Sequence, residues 1–354
     1  MRSTVKVLVV DDSALTRQLL TRALSLDPAI EVVGTARTGV EAIEKTHSLA
    51  PDVVTLDIEM PELTGLEALP HIIRTSPARV LMLSSIDDPD TTYTALELGA
   101  TDFIVKPASG FASSLTELSE VLLKKIKTAY RVRPERRRFA RQEDLRRIAG
   151  VPGPTGGGPP DHIVAIAAST GGPPALEAVI SGLDAGLGAS YMIVQHLPKG
   201  FTGSLARRLG RLAPIPVVEA EDGMPVERDT AYIAPHGSHM TVAGRRTMRM
   251  SLQDAPPLHG VRPAADPLFM SVAEHVGKDS VGVVLTGMGS DGAAGLRSIM
   301  EAGGTTIVQD EDSSVVWGMP GAAVRMGVAS RVVPIDDVAS EIRRAVRGCP
   351  GCER

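Results

Sequence analysis

Short apolar runs alternate with helical patterns along most of this chain, and each run closes on a polar or charged residue. The first third contains "VKVLVVDDSALTRQLL", "DVVTLDIEMP", "RVLMLSSIDD" and "ATDFIVKPAS". From residue 161 the same punctuation returns in "HIVAIAAST", "SYMIVQHLPKGF", "TAYIAPHGSH", "SVGVVLTGMGSDGAAGL" and "GTTIVQDE". Strand, helix, strand in repetition predicts parallel sheets with right-handed crossovers, an α/β fold class in both halves. Parallel strands bring all their C-terminal ends to one edge, so residues far apart in the chain can meet there.

Between the halves the composition changes twice. Residues 124–147 hold eleven Lys/Arg against three Asp/Glu, a net of +8 in a chain whose total is −5. "AGVPGPTGGGPP" follows, too rich in Pro and Gly for either regular structure. The expected organisation is therefore a first domain over 3–123, a basic and then Gly/Pro-rich linker over 124–160, a second domain over 161–347 and a tail over 348–354. The basic stretch reads as a solvated linker helix or as an electrostatic handle for an acidic partner. The total charge argues against wholesale nucleic-acid binding. No apolar run is long enough for membrane insertion, and "MRSTVKVLVVDD" turns charged too early for a secretory signal, so a cytoplasmic location is expected. Cys349 and Cys352, the only cysteines, are too few for a disulfide framework and lack the second pair of a zinc site.

In the first half, Asp11, Asp12, Asp57, Ser84 and Lys106 all fall at strand ends and are expected in one pocket. A single acid there, such as Asp12 before "SALTRQLL", reads as a helix cap. Three converging carboxylates repel one another unless a cation neutralises them, and hard oxygen ligands suit Mg²⁺. With the "KP" that ends the fourth run, this pattern resembles the receiver domain of bacterial two-component response regulators, a flavodoxin-like parallel sheet. The resemblance implies Asp57 as phosphoryl acceptor, Mg²⁺ on Asp11, Asp12, Asp57 and the Glu59 carbonyl, and Ser84 and Lys106 as the phosphate-sensing pair. Thr64 departs from the pattern, standing where receivers usually carry Asp or Asn, at a turn with no proposed role.

In the second half, "VAIAASTGGPPALEAVISGL" reads as strand, tight turn and helix, with Ser169 at the strand's end. Taken alone, that serine is an ordinary helix N-cap. His196 and Asp291 also follow apolar runs, and an imidazole oriented by a buried carboxylate is what a weak serine nucleophile needs. The G-x-S-x-G elbow is absent, and the order Ser, His, Asp differs from that of α/β-hydrolases. His236 and His239 in "APHGSHM" are rival bases.

The strings "ASTGGP", "QHLPKGFT", "APHGSHM", "RPAADPLF", "LTGMGSDGAAG" and "GMPGAA", behind a receiver, look like the chemotaxis protein-glutamate methylesterase family, called CheB, over about Val5 to Val346. The resemblance implies a doubly wound α/β methylesterase domain with Ser169 as nucleophile, His196 as general acid and base, and Asp291 as its orienting carboxylate. His236 and His239 revert to structural or substrate-lining roles. Main-chain N–H groups of Thr170 and Met288 are the candidate oxyanion donors. The implied activities are hydrolysis of glutamyl γ-methyl esters and deamidation of glutamines on methyl-accepting chemoreceptors, with a chemotaxis-type histidine kinase as phosphodonor and no cofactor for the ester chemistry.

Two other classes fit parts of the chain. "STGGPP" at a strand-to-helix turn could cradle a nucleotide or phosphate, but G-x-G-x-x-G and P-loop signatures are missing. A noncatalytic, nucleic-acid-binding regulator would use the basic linker, but no recognition-helix pattern is present.

Overall fold

The computed structural model describes residues 4–84, 88–106, 115–132, 158–244 and 247–348. The chain divides into two compact units, Met1–Phe139 and Ala140–Arg354.

The first unit runs β1 (Val5–Val10), α1 (Ala14–Leu24), β2 (Ile30–Ala36), α2 (Gly39–Leu49), β3 (Val53–Asp57), α3 (Gly65–Thr75), β4 (Arg79–Ser84), α4 (Pro89–Glu97), β5 (Asp102–Val105) and α5 (Leu115–Arg131). Its strands pair in parallel in the order β2-β1-β3-β4-β5. The strand order therefore reverses between β1 and β3, which opens a crevice at their C-terminal ends. Strand β2 carries none of the four apolar runs read from the sequence. It lies at the sheet edge, where Glu31 and Thr35 are exposed and Val32, Val33 and Gly34 only half-buried, so no continuous apolar run marks it.

Helix α5 continues past Leu123, where the first domain was expected to end. Leu122, Ile126 and Ala129 are buried in the unit's core, and Arg79 Nε donates to the Val132 carbonyl at 2.8 Å. Lys125 pairs with Asp102 at 2.8 Å, and Lys127 pairs with Asp27. The start of the basic stretch is thus an amphipathic helix docked on its own domain. The remainder of the stretch and most of the Gly/Pro segment, 133–157, lie outside the described residues, as do Cys349 and Cys352.

The second unit runs β6 (His162–Ala168), α6 (Gly172–Ser181), β7 (Ala189–Gln195), α7 (Thr202–Leu212), β8 (Val217–Glu219), β9 (Thr230–Ile233), β10 (His239–Ala243), β11 (Arg249–Gln253), α8 (Ala265–Val276), β12 (Ser280–Val284), α9 (Ala293–Glu301), β13 (Thr305–Gln309), α10 (Met319–Arg325), β14 (Arg331–Val333) and α11 (Ile335–Arg347). Seven strands form one parallel sheet in the order β14-β13-β12-β6-β7-β9-β8; β10 and β11 pair as a separate antiparallel ribbon. The sheet grows outward from β6 in both directions, so its topological switch lies beside that strand. β6, β7 and β12 are buried almost throughout, as expected for strands covered on both faces. Phe269, Leu296, Val284, Met192 and Met319 belong to the core that supports the switch point.

Candidate active site

In the first unit, the crevice between β1 and β3 collects the expected acids. Ligand oxygens of Asp11, Asp12 and Asp57 lie within 4.8 Å of one another. Asp11 and Asp57 are buried while Asp12 is exposed. Lys106 Nζ reaches over both buried acids, 2.8 Å from Asp11 Oδ2 and 2.6 Å from Asp57 Oδ2. Burial drives the Asp57 pKa up to about 7; Lys106 works against that shift, and Asp11 and Asp12 add to it. Burial likewise penalises the Lys106 ammonium, but Asp57 and Asp11 outweigh it and hold its pKa above the ordinary value.

Asp12 is not a helix cap. Ser13 caps α1, accepting from the Thr16 N–H, and its own N–H is donated to Asp11 Oδ1 at 2.9 Å. Arg17 braces the loop, donating to the carbonyls of Asp11 and Asp12 at 2.7 and 2.8 Å. Ser84 is buried at the end of β4 with its hydroxyl bonded to Thr92 of α4, and its carbonyl accepts the Lys106 N–H at 2.7 Å. Glu59 stands two residues past Asp57 in the exposed loop. Thr64, the departure from the receiver pattern, caps α3 in a reciprocal capping box with Glu67. Gly65 follows it because a Cβ there would lie 1.8 Å from the Asp57 carbonyl oxygen.

In the second unit, three neighbouring strands carry the proposed triad. Ser169 follows β6, His196 follows β7, and Asp291 lies in the loop after β12. The ladder positions the first two: Ala168 pairs with Gln195, and the His196 N–H donates to the Ala168 carbonyl at 3.1 Å. Ser169 is not an N-cap. That place belongs to Gly171, at φ 75°, where a Cβ would also strike Val315 at 2.5 Å. The serine's main chain is fully committed. Its N–H donates to the Thr286 carbonyl at 3.0 Å, and its carbonyl accepts from Gly172 N–H at 2.7 Å and Gln195 Nε2 at 2.9 Å. The hydroxyl is the polar group left for chemistry.

His196 Nε2 and Asp291 Oδ2 are 2.9 Å apart. Asp291 is 2% exposed, and backbone amides hold both oxygens: Ala265 N–H at 2.6 Å on Oδ2, with Asp266 N–H at 3.1 Å and Gly292 N–H at 3.0 Å on Oδ1. Two of these amides open α8, a helix N-terminus that favours an anion. Burial alone would raise the Asp291 pKa, but His196 and the backbone donors outweigh it and hold the carboxyl below its ordinary value. With Nε2 turned to the carboxylate, Nδ1 of His196 is the nitrogen available to a nucleophile.

Each rival histidine has a ring nitrogen committed to a main-chain group. His239 is buried, with Nε2 facing the Pro256 carbonyl at 3.1 Å and Nδ1 accepting the Ala264 N–H at 3.1 Å. His236 Nδ1 faces the Leu197 carbonyl at 2.8 Å. His259, Asp266 and Asp291 are close enough to suggest a metal centre. Yet every oxygen of the two carboxylates already has a nitrogen partner, including Gly295 N–H on Asp266 Oδ1 at 2.7 Å and His259 Nε2 against Asp266 Oδ2 at 2.8 Å.

Thr170 and Met288 belong to the two loops that meet at the serine. A Cβ on Gly287 would lie 2.8 Å from Ser169 Cβ, and one on Gly318 would lie 3.1 Å from Met288 Cα. Thr286 ties these loops together, its hydroxyl donating to the Thr170 carbonyl at 3.0 Å and accepting the Val316 N–H at 2.9 Å. The sequence reading singled out neither Thr286 nor Gln195. A threonine or glutamine at a strand end carries no motif of its own.

Residues 164–342 match the CheB methylesterase family, and residues 7–113 match the response regulator receiver domain. A protein from Pyrococcus horikoshii named "Protein-glutamate methylesterase/protein-glutamine glutaminase" is 44% identical over 347 residues, covering 97% of this chain and 94% of the relative. One of the same name from Symbiobacterium thermophilum is 44% identical over 353 residues, covering 97% of each. The crystal structure of the Thermotoga maritima CheB methylesterase catalytic domain aligns with a TM-score of 0.50 at 36% identity, covering 52% of this chain and 97% of that one. The matched segments contain both crevices described above, and the chain therefore belongs to the CheB methylesterase family, with a receiver domain preceding the esterase domain.

Proposed function

We propose that this chain hydrolyses γ-methyl esters of glutamyl side chains on methyl-accepting chemoreceptors and deamidates glutamines there, under control of phosphorylation at Asp57. The observation that carries the ester chemistry is the His196–Asp291 pair at 2.9 Å, set one strand from Ser169 on a carboxylate braced by three backbone amides. Ser169 Oγ attacks the ester carbonyl while His196 Nδ1 takes the hydroxyl proton, and Asp291 stabilises the imidazolium. Main-chain N–H groups of Thr170 and Met288 would receive the oxyanion. Collapse of the tetrahedral species breaks the C–O bond, and His196 returns the proton to the departing methanol. Water then attacks the acyl-serine with His196 again as base, which releases glutamate and restores the hydroxyl. With a carboxamide substrate the leaving group is ammonia. This chemistry calls for no metal or organic cofactor.

In the receiver, Asp57 would be the phosphoryl acceptor. The donor set fits a hard cation: three clustered carboxylates, one of them with its pKa driven to about 7, plus the Glu59 carbonyl in the adjoining loop. Mg²⁺ bound by Asp11, Asp12, Asp57 and that carbonyl would screen charge during phosphoryl transfer. Lys106 already contacts Asp57 and would pair with the phosphate, while the Ser84 hydroxyl would turn from Thr92 towards it. The phosphodonor would be a chemotaxis-type histidine kinase. Among the described residues no helix is long and apolar enough to cross a membrane. Acting on receptor cytoplasmic segments with a histidine kinase as phosphodonor would place the enzyme in the cytoplasm, with the receiver ending at α5 and the esterase domain spanning 161–347.

The test is methanol release from methylated receptor cytoplasmic fragments. Wild type should release methanol faster with a small phosphodonor and Mg²⁺, Asp57→Asn should lose that stimulation, and Ser169→Ala should be inactive with its circular dichroism unchanged. Activity retained by Ser169→Ala would remove the serine from the mechanism.

A further inference from the structure

Strands β6 and β7 part where their chemistry begins. The last rung of their ladder is the bond from His196 N–H to the Ala168 carbonyl, after which, among the described residues, the carbonyls of Ser169 and His196 have no strand partner to meet. One side chain supplies what the ladder no longer does. Gln195, 2% exposed at the end of β7, donates from Nε2 to the Ser169 carbonyl at 2.9 Å and to the His196 carbonyl at 3.2 Å. Both neighbours are acceptors, so the amide must present its NH₂ to them; the orientation follows from the chemistry of its partners. Oε1 is then buried without a hydrogen-bond partner among the described residues. An orphaned buried oxygen is destabilising, and an apolar side chain of similar size would not have one. The backbone yields to the same glutamine: a Cβ on Gly172 would stand 1.9 Å from Oε1, so the second glycine of "STGG" makes room for it.

We propose that Gln195 is a positioning residue, whose amide clamps the main chains of the nucleophile and the base at the point where their strands diverge. This rests on the assignment of Ser169 and His196 given above. One NH₂ group bonded to both carbonyls couples the height of Ser169 above the sheet to that of His196. Loss of the clamp should misplace the hydroxyl relative to the imidazole without touching the surface that receives the substrate.

The test compares the full-length Gln195→Met and Gln195→Ala variants with wild type and Ser169→Ala, on methylated receptor fragments under identical phosphodonor and Mg²⁺ conditions. Methionine keeps the volume and removes both the donor and the orphaned oxygen. The expected result is that Gln195→Met loses about 10- to 100-fold in kcat, normalised to serine titrated with a fluorophosphonate, while KM stays within about twofold. Its melting temperature should stay close to that of wild type, since relief of the orphaned oxygen offsets the hydrogen bonds lost to the two carbonyls. Activity and stability then move apart, which a purely structural role would not produce. If Gln195→Met retains wild-type kcat while Gln195→Ala loses it, the residue only fills space and the clamp is wrong. If Gln195→Met loses activity only in proportion to a fall in melting temperature and titratable serine, the clamp is equally wrong. Ser169→Ala reports on the underlying assignment separately, since activity there would overturn the triad whatever Gln195 does.

Discussion

His196 Nε2 and Asp291 Oδ2 lie 2.9 Å apart although 95 residues separate them in the chain, and the carboxylate that completes the pair accepts four N–H groups in all. That number matters because a carboxylate can accept in every direction and an amide cannot. The same saturation that orients His196 also makes Asp291 part of the fold, at the start of α8.

Asp291→Asn should therefore fail in two ways. An amide NH₂ placed where Ala265, Asp266 or Gly292 now donates sets donor against donor in a buried site, at a cost of about 1–3 kcal/mol. The imidazole also loses the partner that fixes its tautomer, and a fall in kcat of about 10²- to 10⁴-fold is expected. Thermal melting and methanol release on the same preparation check both. A variant with normal melting and normal kcat would show that the four-bond arrangement orients nothing.

Gly65→Ala should damage the receiver more than an ordinary glycine substitution at a helix start. The new Cβ would lie 1.8 Å from the Asp57 carbonyl oxygen, a backbone atom that cannot rotate away. Either α3 or the end of β3 must shift, at a cost of about 1–3 kcal/mol or more, and the shift falls on Asp57, the proposed phosphoryl acceptor. Loss of phosphorylation by acetyl phosphate in Gly65→Ala, with the second unit's activity intact, is the expected result.

The pairing of His196 with Asp291 and the clustering of Asp11, Asp12 and Asp57 were legible in the sequence because one rule governs both: parallel strands deliver their C-terminal residues to a common edge, where the proposed nucleophile Ser169 also stands. Strand β2 shows no continuous apolar run because, at the sheet edge, Glu31 and Thr35 are exposed and break its apolar residues. The lysines of α5 look like linker residues in the sequence, whereas Ile126 and Ala129 between them face the core. Ser169 resembled an N-cap, and only the backbone shows that Gly171 takes that role. Gln195 and Thr286 act through main-chain carbonyls and amides, a partnership that depends on where strands end in space and leaves no spacing to recognise.

Asp57 makes the receiver's stability depend on pH in a stated direction. Its carboxyl titrates near 7 in the folded unit and near 3.9 when unfolded, so the folded state binds the proton more tightly. The resulting stabilisation is complete below about pH 4 and is lost as pH rises to about 7. Asp57→Asn should abolish that loss and melt higher than wild type at pH 8. Mg²⁺ should compete with the same proton, raising the receiver's melting temperature in wild type more at pH 8 than at pH 6 and little in Asp57→Asn. Equal Mg²⁺ effects at both pH values would place the cation away from Asp57.

Gly287→Ala tests how closely Ser169, the proposed nucleophile, is held. The added Cβ would lie 2.3 Å from Met319 Sδ, 2.8 Å from Ser169 Cβ and 3.2 Å from Ser169 N. Met319 is a flexible side chain and can move aside. Ser169 cannot, because its N–H is tied to Thr286 and its carbonyl to Gly172 and Gln195. Strain at Met319 should appear as lost stability, and strain at Ser169 as lost activity. Gly287→Ala is expected to melt lower and to lose about 100-fold in kcat, since a displacement of roughly 1 Å at a reacting atom suffices for that. Adding Met319→Ala gives the new methyl room on one side only. The double variant should recover part of the effect on melting that the glycine substitution causes beyond Met319→Ala alone, while kcat stays low. Recovery of kcat in the double variant would mean that the methyl group acts through Met319 and that Ser169 is free to adjust.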